Sequence, residues 1–127
     1  MNAKTFLTVQ ALVSVVFAVS MIFMSQQMTD RYMMDSNWEN PATALIRKGM
    51  GSLLIGIAIG NWFARNASPS PALKGWIISS VVGNLLIAIF HIQAITNQTE
   101  KSFAWVSTAV CLVFAAWGAL VLTKQDK

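Results

Sequence analysis

Three side chains have types and positions that could do chemistry: His91, Asn84 and Arg47. His91 is the only histidine and lies in a long apolar stretch. An imidazole there can serve as an axial ligand to a haem or a chlorophyll-type pigment, or as a hydrogen-bond partner to a quinone carbonyl. Its structural alternative is a histidine satisfied within a helix bundle. Asn84 stands seven residues earlier and shares the same helical face. It can contact a ligand in a pocket, or it can tie two helices together, which is worth roughly 0.6–2 kcal/mol in a bilayer. Arg47 opens an apolar run. It can bind an anionic head group or close a polar site, or it can snorkel to the interface.

The other ingredients of catalysis are missing from the pattern. No nucleophile stands with a base, no carboxylates pair inside an apolar run, and no glycine loop cradles a phosphate. The five acids all lie outside the apolar stretches, which argues against an acid-dependent proton or sodium carrier. Cys111 is the only cysteine, so it forms neither an intramolecular disulfide nor a cysteine metal site and reads as a packing residue.

Long apolar segments must position these residues. The chain has 127 residues, 55% of them hydrophobic and only 11% charged, against about 25% charged in a soluble domain. Mean hydropathy is +0.56. The length fits four spans of roughly 20 residues with short connections and leaves no room for a soluble catalytic domain. The expected class is all-α: an integral membrane four-helix bundle, antiparallel, up-down-up-down. Its spans are expected at about 6–27, 42–64, 75–96 and 103–123, in one transmembrane domain. The first is read as a retained helix, because its apolar run exceeds that of a usual signal peptide.

Between the spans, residues 29–40 read as a polar loop with Asp30, Asp35 and Glu39. Asn40-Pro41 is a helix start with an N-cap and a proline at the first position. Residues 65–74 read as a turn. Two stripes of small residues suggest helix seams. One is Ser52, Gly56 and Gly60. The other is Ala104, Thr108, Cys111, Ala115 and Gly118. Arg47 and His91 fall at similar depth on the side away from the termini. The expectation is that both border one small polar cavity under the first loop, where Asp35 or Glu39 can meet the Arg47 charge.

An even number of spans puts both termini on one side. That side carries Lys4, Arg65, Lys74, Lys124 and Lys127, against Arg31, Arg47, Lys48 and Lys101 on the other. The five-to-four excess favours cytoplasmic termini, in a bacterial inner membrane. The net charge of +4 is scattered between apolar runs, so it reads as topology signals and contact with anionic head groups rather than nucleic-acid binding.

The pattern resembles the small four-helix bacterial membrane proteins grouped as DoxX-like. The likeness rests on an uncleaved first helix and a polar first loop. It extends to a second helix opening with Arg47, Gly49, Gly51 and Gly56, and to Trp105 in SFAWVS opening the fourth. Some relatives are subunits linked to quinone-dependent oxidation, so the resemblance implies a quinone-related role as one reading. No catalytic residue carries over. The leading functional expectation is a non-catalytic accessory or structural subunit, in contact with lipid and with other membrane subunits or copies of itself. The alternative is a binder or carrier of a small lipophile, a quinone, pigment or lipid, held by His91, Asn84 and Arg47.

Overall fold

The computed structural model describes residues 2–125. Its helices are α1 (Ala3–Phe23), α2 (Ser25–Tyr32), α3 (Pro41–Ala64), α4 (Pro71–Thr96) and α5 (Ala104–Gln125), with a 3-10 turn at Ser36–Trp38. Among the described residues there is no strand, only an isolated bridge between Met33 and Glu100. Four helices, α1, α3, α4 and α5, are long and apolar enough to cross a membrane.

Capping sets the helix starts. The Asn2 side chain accepts from the Thr5 N–H at 2.9 Å, so α1 begins at Ala3, ahead of the expected residue 6. Asn40 accepts from the N–H groups of Ala42 and Thr43, and Thr43 Oγ1 accepts from the Asn40 N–H. With Pro41 at the first position, this reciprocal cap starts α3. Ser70 caps α4 by accepting from the Leu73 N–H at 3.2 Å. The Ser-Pro pair that reads as part of a turn is therefore a cap, and α4 starts at 71 rather than 75.

The first apolar helix ends at Phe23, not at residue 27. Met24 leaves helical geometry at φ −123°, ψ 40°. The chain then restarts as α2, through a segment read as the end of a span and the start of a loop. The run SQQMTDRY is too polar to continue an apolar span. As a separate helix it turns Ser25 and Thr29, one turn apart, to the same side.

Helices α1 and α3 form one closely packed hairpin, and α4 and α5 form another. Ile22 lies against Gly51, and Gln10 bonds to Asn61, so α1 and α3 run in opposite directions. The hairpins meet near the chain termini, where Phe6, Leu7, Leu73, Ile77, Phe114 and Val121 form the apolar core. Phe6 packs edge-on to Phe114 and Trp117, with ring centroids 6.3 and 5.7 Å away. Outward faces stay apolar: Leu53, Phe63, Phe90 and Val113 are each more than half exposed.

The two small-residue stripes end up differently. On α5, Ala104, Thr108, Ala115 and Gly118 are buried and Cys111 is half-buried. On α3 the packed face is Gly51, Ala58 and Asn61, not the expected stripe. Ser52 is exposed, and a Cβ added at Gly56 would meet nothing within 4 Å. Gly60 alone of that stripe is in tight contact, with Trp76 ring atoms 2.6 Å from where its Cβ would sit. A helix apolar nearly all round has no strong preferred phase, and the one buried amide, Asn61, chooses it by requiring a partner.

Alanine at two glycines should separate packed from open positions. A Cβ at Gly118 would lie 2.6 Å from Val81 Cγ2 and 3.1 Å from Phe6 Cζ. Gly118→Ala should therefore lower thermal stability in detergent by about 1–3 kcal/mol through overpacking. Gly56→Ala should leave stability unchanged or raise it by up to about 1 kcal/mol through helix propensity.

Candidate functional site

Arg47 sits in the second turn of α3, at the end of the molecule away from the termini. Its Nη1 lies 2.6 Å from Glu39 Oε2, 2.8 Å from the Ser25 carbonyl oxygen and 2.5 Å from Thr29 Oγ1. Glu39, just before α3, also accepts from the hydroxyls of Ser25 at 2.5 Å and Thr29 at 2.7 Å. Thr29 is fully buried. These bonds pin α2 across the start of α3, and the charged ones are the stronger kind. Donation from Ser25 and Thr29, followed by the Arg47 charge, holds the Glu39 carboxyl below the usual carboxylate range.

His91 sits in the next-to-last turn of α4. Its Nδ1 is 2.7 Å from Glu100 Oε2. The intervening chain folds back through Gln98, whose φ of 57° is left-handed. The N–H groups of Thr99 and Glu100 then both bond to the Ala94 carbonyl, a helix termination that brings Glu100 over the last turns of α4. Tyr32, the last residue of α2, lies beside this pair, its ring centroid 6.3 Å from that of His91. Its hydroxyl is 2.5 Å from Ser107 Oγ on α5. Its carbonyl accepts from the Lys101 N–H at 2.6 Å, and Lys101 Nζ donates to the Asp30 carbonyl at 2.6 Å.

Asn84 belongs to a third group, closer to the termini. Its Nδ2 donates to the Ser80 carbonyl at 2.8 Å. Ser80 Oγ accepts from Gln10 Nε2 at 2.5 Å. Gln10 Oε1 accepts from Asn61 Nδ2 at 3.3 Å, and Asn61 Oδ1 accepts from Trp76 Nε1 at 2.7 Å. One line of polar groups thus joins α1, α3 and α4.

Arg47, His91 and Asn84 therefore belong to three separate hydrogen-bonded groups. Arg47 and His91 share no hydrogen-bond partner, and α2 supplies a different end to each. Asn84 and His91 share a face of α4 but are about 10 Å apart along its axis. Two surface depressions have other linings. One, of about 300 Å³, is bounded by Asp35, Asn37, Trp38, Asn40 and Thr43. The other, of about 190 Å³, is an apolar groove between α1 and α3 that includes Leu12, Val15, Ile59 and Trp62. Neither depression is the expected common cavity, and each polar group found a nearby partner. Arg47 met Glu39, one of the two acids expected to reach it.

Sequence reasoning missed Ser25, Thr29 and Asn61 as members of these groups. The one-turn spacing of Ser25 and Thr29, and a lone amide in an apolar helix, were the available signals. The His91–Glu100 pair has no hydroxyl nucleophile paired with it among the described residues, since the Ser107 hydroxyl is engaged by Tyr32. Among the described residues no group of three His, Cys, Asp or Glu side chains is arranged to hold a metal ion. No family model matches the chain, nor does any curated protein or solved structure.

Because the folded Glu39 carboxyl titrates below an unfolded one, its stabilising contribution is complete above the ordinary carboxylate range. It is lost as pH falls through the lowered folded value. Wild-type protein in detergent should therefore lose melting temperature on acidification below roughly pH 4. Glu39→Gln should melt lower at neutral pH and lose less on acidification. Parallel pH profiles for the two proteins would contradict this role.

Proposed function

We propose that the chain is a small multi-pass membrane protein acting as a non-catalytic accessory or structural subunit. Its partner would be another transmembrane helix, from a second subunit or a second copy. Four helices of spanning length with apolar outward faces support the bilayer environment. The observation that carries the accessory role is how the chain spends its polar groups. Arg47, His91, Asn84, Gln10 and Asn61 all bond to other parts of the same chain, while Ser52 and Gly56 form a smooth, open strip on the outside of α3. A strip without side-chain bulk admits the close helix approach that drives association in lipid. The five-to-four excess of basic residues on the terminal side supports cytoplasmic termini.

A lipophile held jointly by Arg47, Asn84 and His91 is the weaker reading, since those residues occupy three separate groups. Gly56→Leu tests the preferred one. The added side chain projects into open space, so folding of the single chain should be unchanged. Association measured by co-purification or by size in mild detergent should weaken roughly tenfold, about 1.4 kcal/mol. Unchanged assembly would mean that this strip faces lipid only.

A further inference from the structure

The charge at the two ends of the molecule is unequal in kind. At the loop end, Arg31, Arg47, Lys48 and Lys101 are matched in number by Asp30, Asp35, Glu39 and Glu100. Arg47 and Glu39 are also paired in space, Glu100 lies against His91, and Lys101 donates to the Asp30 carbonyl. At the terminal end, each of the four long helices places one cation within about a turn of its boundary. These are Lys4 on α1, Arg65 just past α3, Lys74 on α4 and Lys124 on α5. In the sequence this end carries five basic residues, these four and Lys127, and one acid, Asp126, so positive charge is in clear excess there.

An apolar belt adjoins these cations. Trp62, Phe63 and Trp76 are exposed at 44%, 78% and 39%. The Arg65 guanidinium carbon lies over the Trp62 ring, 3.2 Å from its centroid, a cation–π contact with an indole. Trp76 is held by its bond to Asn61, so its ring is also fixed in place. A partner for this end needs negative charge directly above an apolar zone. Nucleic acid and acidic peptides offer the first without the second.

We propose that the terminal end is a binding surface for anionic phospholipids, with Arg65 on Trp62 at its centre and Lys4 and Lys124 contributing to it. The phosphates lie against the cations while the acyl chains cover Trp62, Phe63 and Trp76. The loop end, neutral in sum, has no such preference. The proposal rests on the membrane reading above and adds to it a lipid class and a single leaflet.

The test uses the full chain reconstituted in vesicles of phosphatidylcholine and phosphatidylglycerol with matched acyl chains. Lipids retained after gentle extraction are counted by native mass spectrometry. Wild-type protein should retain phosphatidylglycerol preferentially, and high salt should erase the preference. Arg65→Gln should lower it about five-fold, and Lys4→Gln with Lys124→Gln by about that factor for each charge. Arg31→Gln with Lys48→Gln, at the loop end, should leave it intact. Equal retention of both lipids by wild type, a preference that survives high salt, or an equal loss in the loop-end variant would overturn the proposal. A chain that never enters the vesicles would overturn the membrane reading instead.

Discussion

A polar side chain inside an apolar shell has no water to turn to, so it must find its partner within the protein or cost several kcal/mol. Asn61 is fully buried on α3, and its answer to this constraint organises much of the molecule. It donates to Gln10 and accepts from Trp76. Gln10 in turn donates to Ser80. Turning Asn61 inward also turns Gly51 and Ala58 inward, which lets α1 come close enough for Ile22 and the Ala18 carbonyl to reach Gly51. The same rotation sends Ser52 and Gly56 outward. The interior amides and the exposed strip on α3 are therefore two results of one choice of helix phase.

At the other end α2 acts as a bracket between the hairpins. Ser25 and Thr29 hold Arg47 and Glu39 of the first hairpin. Tyr32 holds Ser107 and the Lys101 N–H of the second. The Met34 N–H adds a bond to the Thr99 carbonyl. Charged groups near the edge of an apolar slab are satisfied locally, by backbone carbonyls, hydroxyls and each other. Those groups are committed to holding helices together.

Much of this architecture was legible in the sequence, and the reasons are local. Asn40-Pro41 marked the start of α3 because capping depends on neighbours a few residues away. The α5 stripe from Ala104 to Gly118 was visible because small residues alternate there at helical spacing. The phase of α3 was not legible, since two glycine-containing faces compete and only the position of Gln10 on another helix decides between them. Helix α2 was hidden because its polar run looks like a loop until Arg47 and Glu39 supply partners for Ser25 and Thr29. A shared site for Arg47 and His91 did not follow from helix rise, because Glu100 folds back through Gln98 and occupies the imidazole from its own side.

Four helices of spanning length would thread the chain four times through a bilayer, with the α2 bracket on one side and the short turn after α3 on the other. Single cysteines in place of Ser36 and Ser68, each combined with Cys111→Ala, test it most directly by labelling intact cells with a membrane-impermeant maleimide. Position 36 should be labelled and position 68 protected until the membrane is opened. Preferential labelling at 68 would reverse the orientation, and equal labelling at both positions would contradict the four-span threading itself.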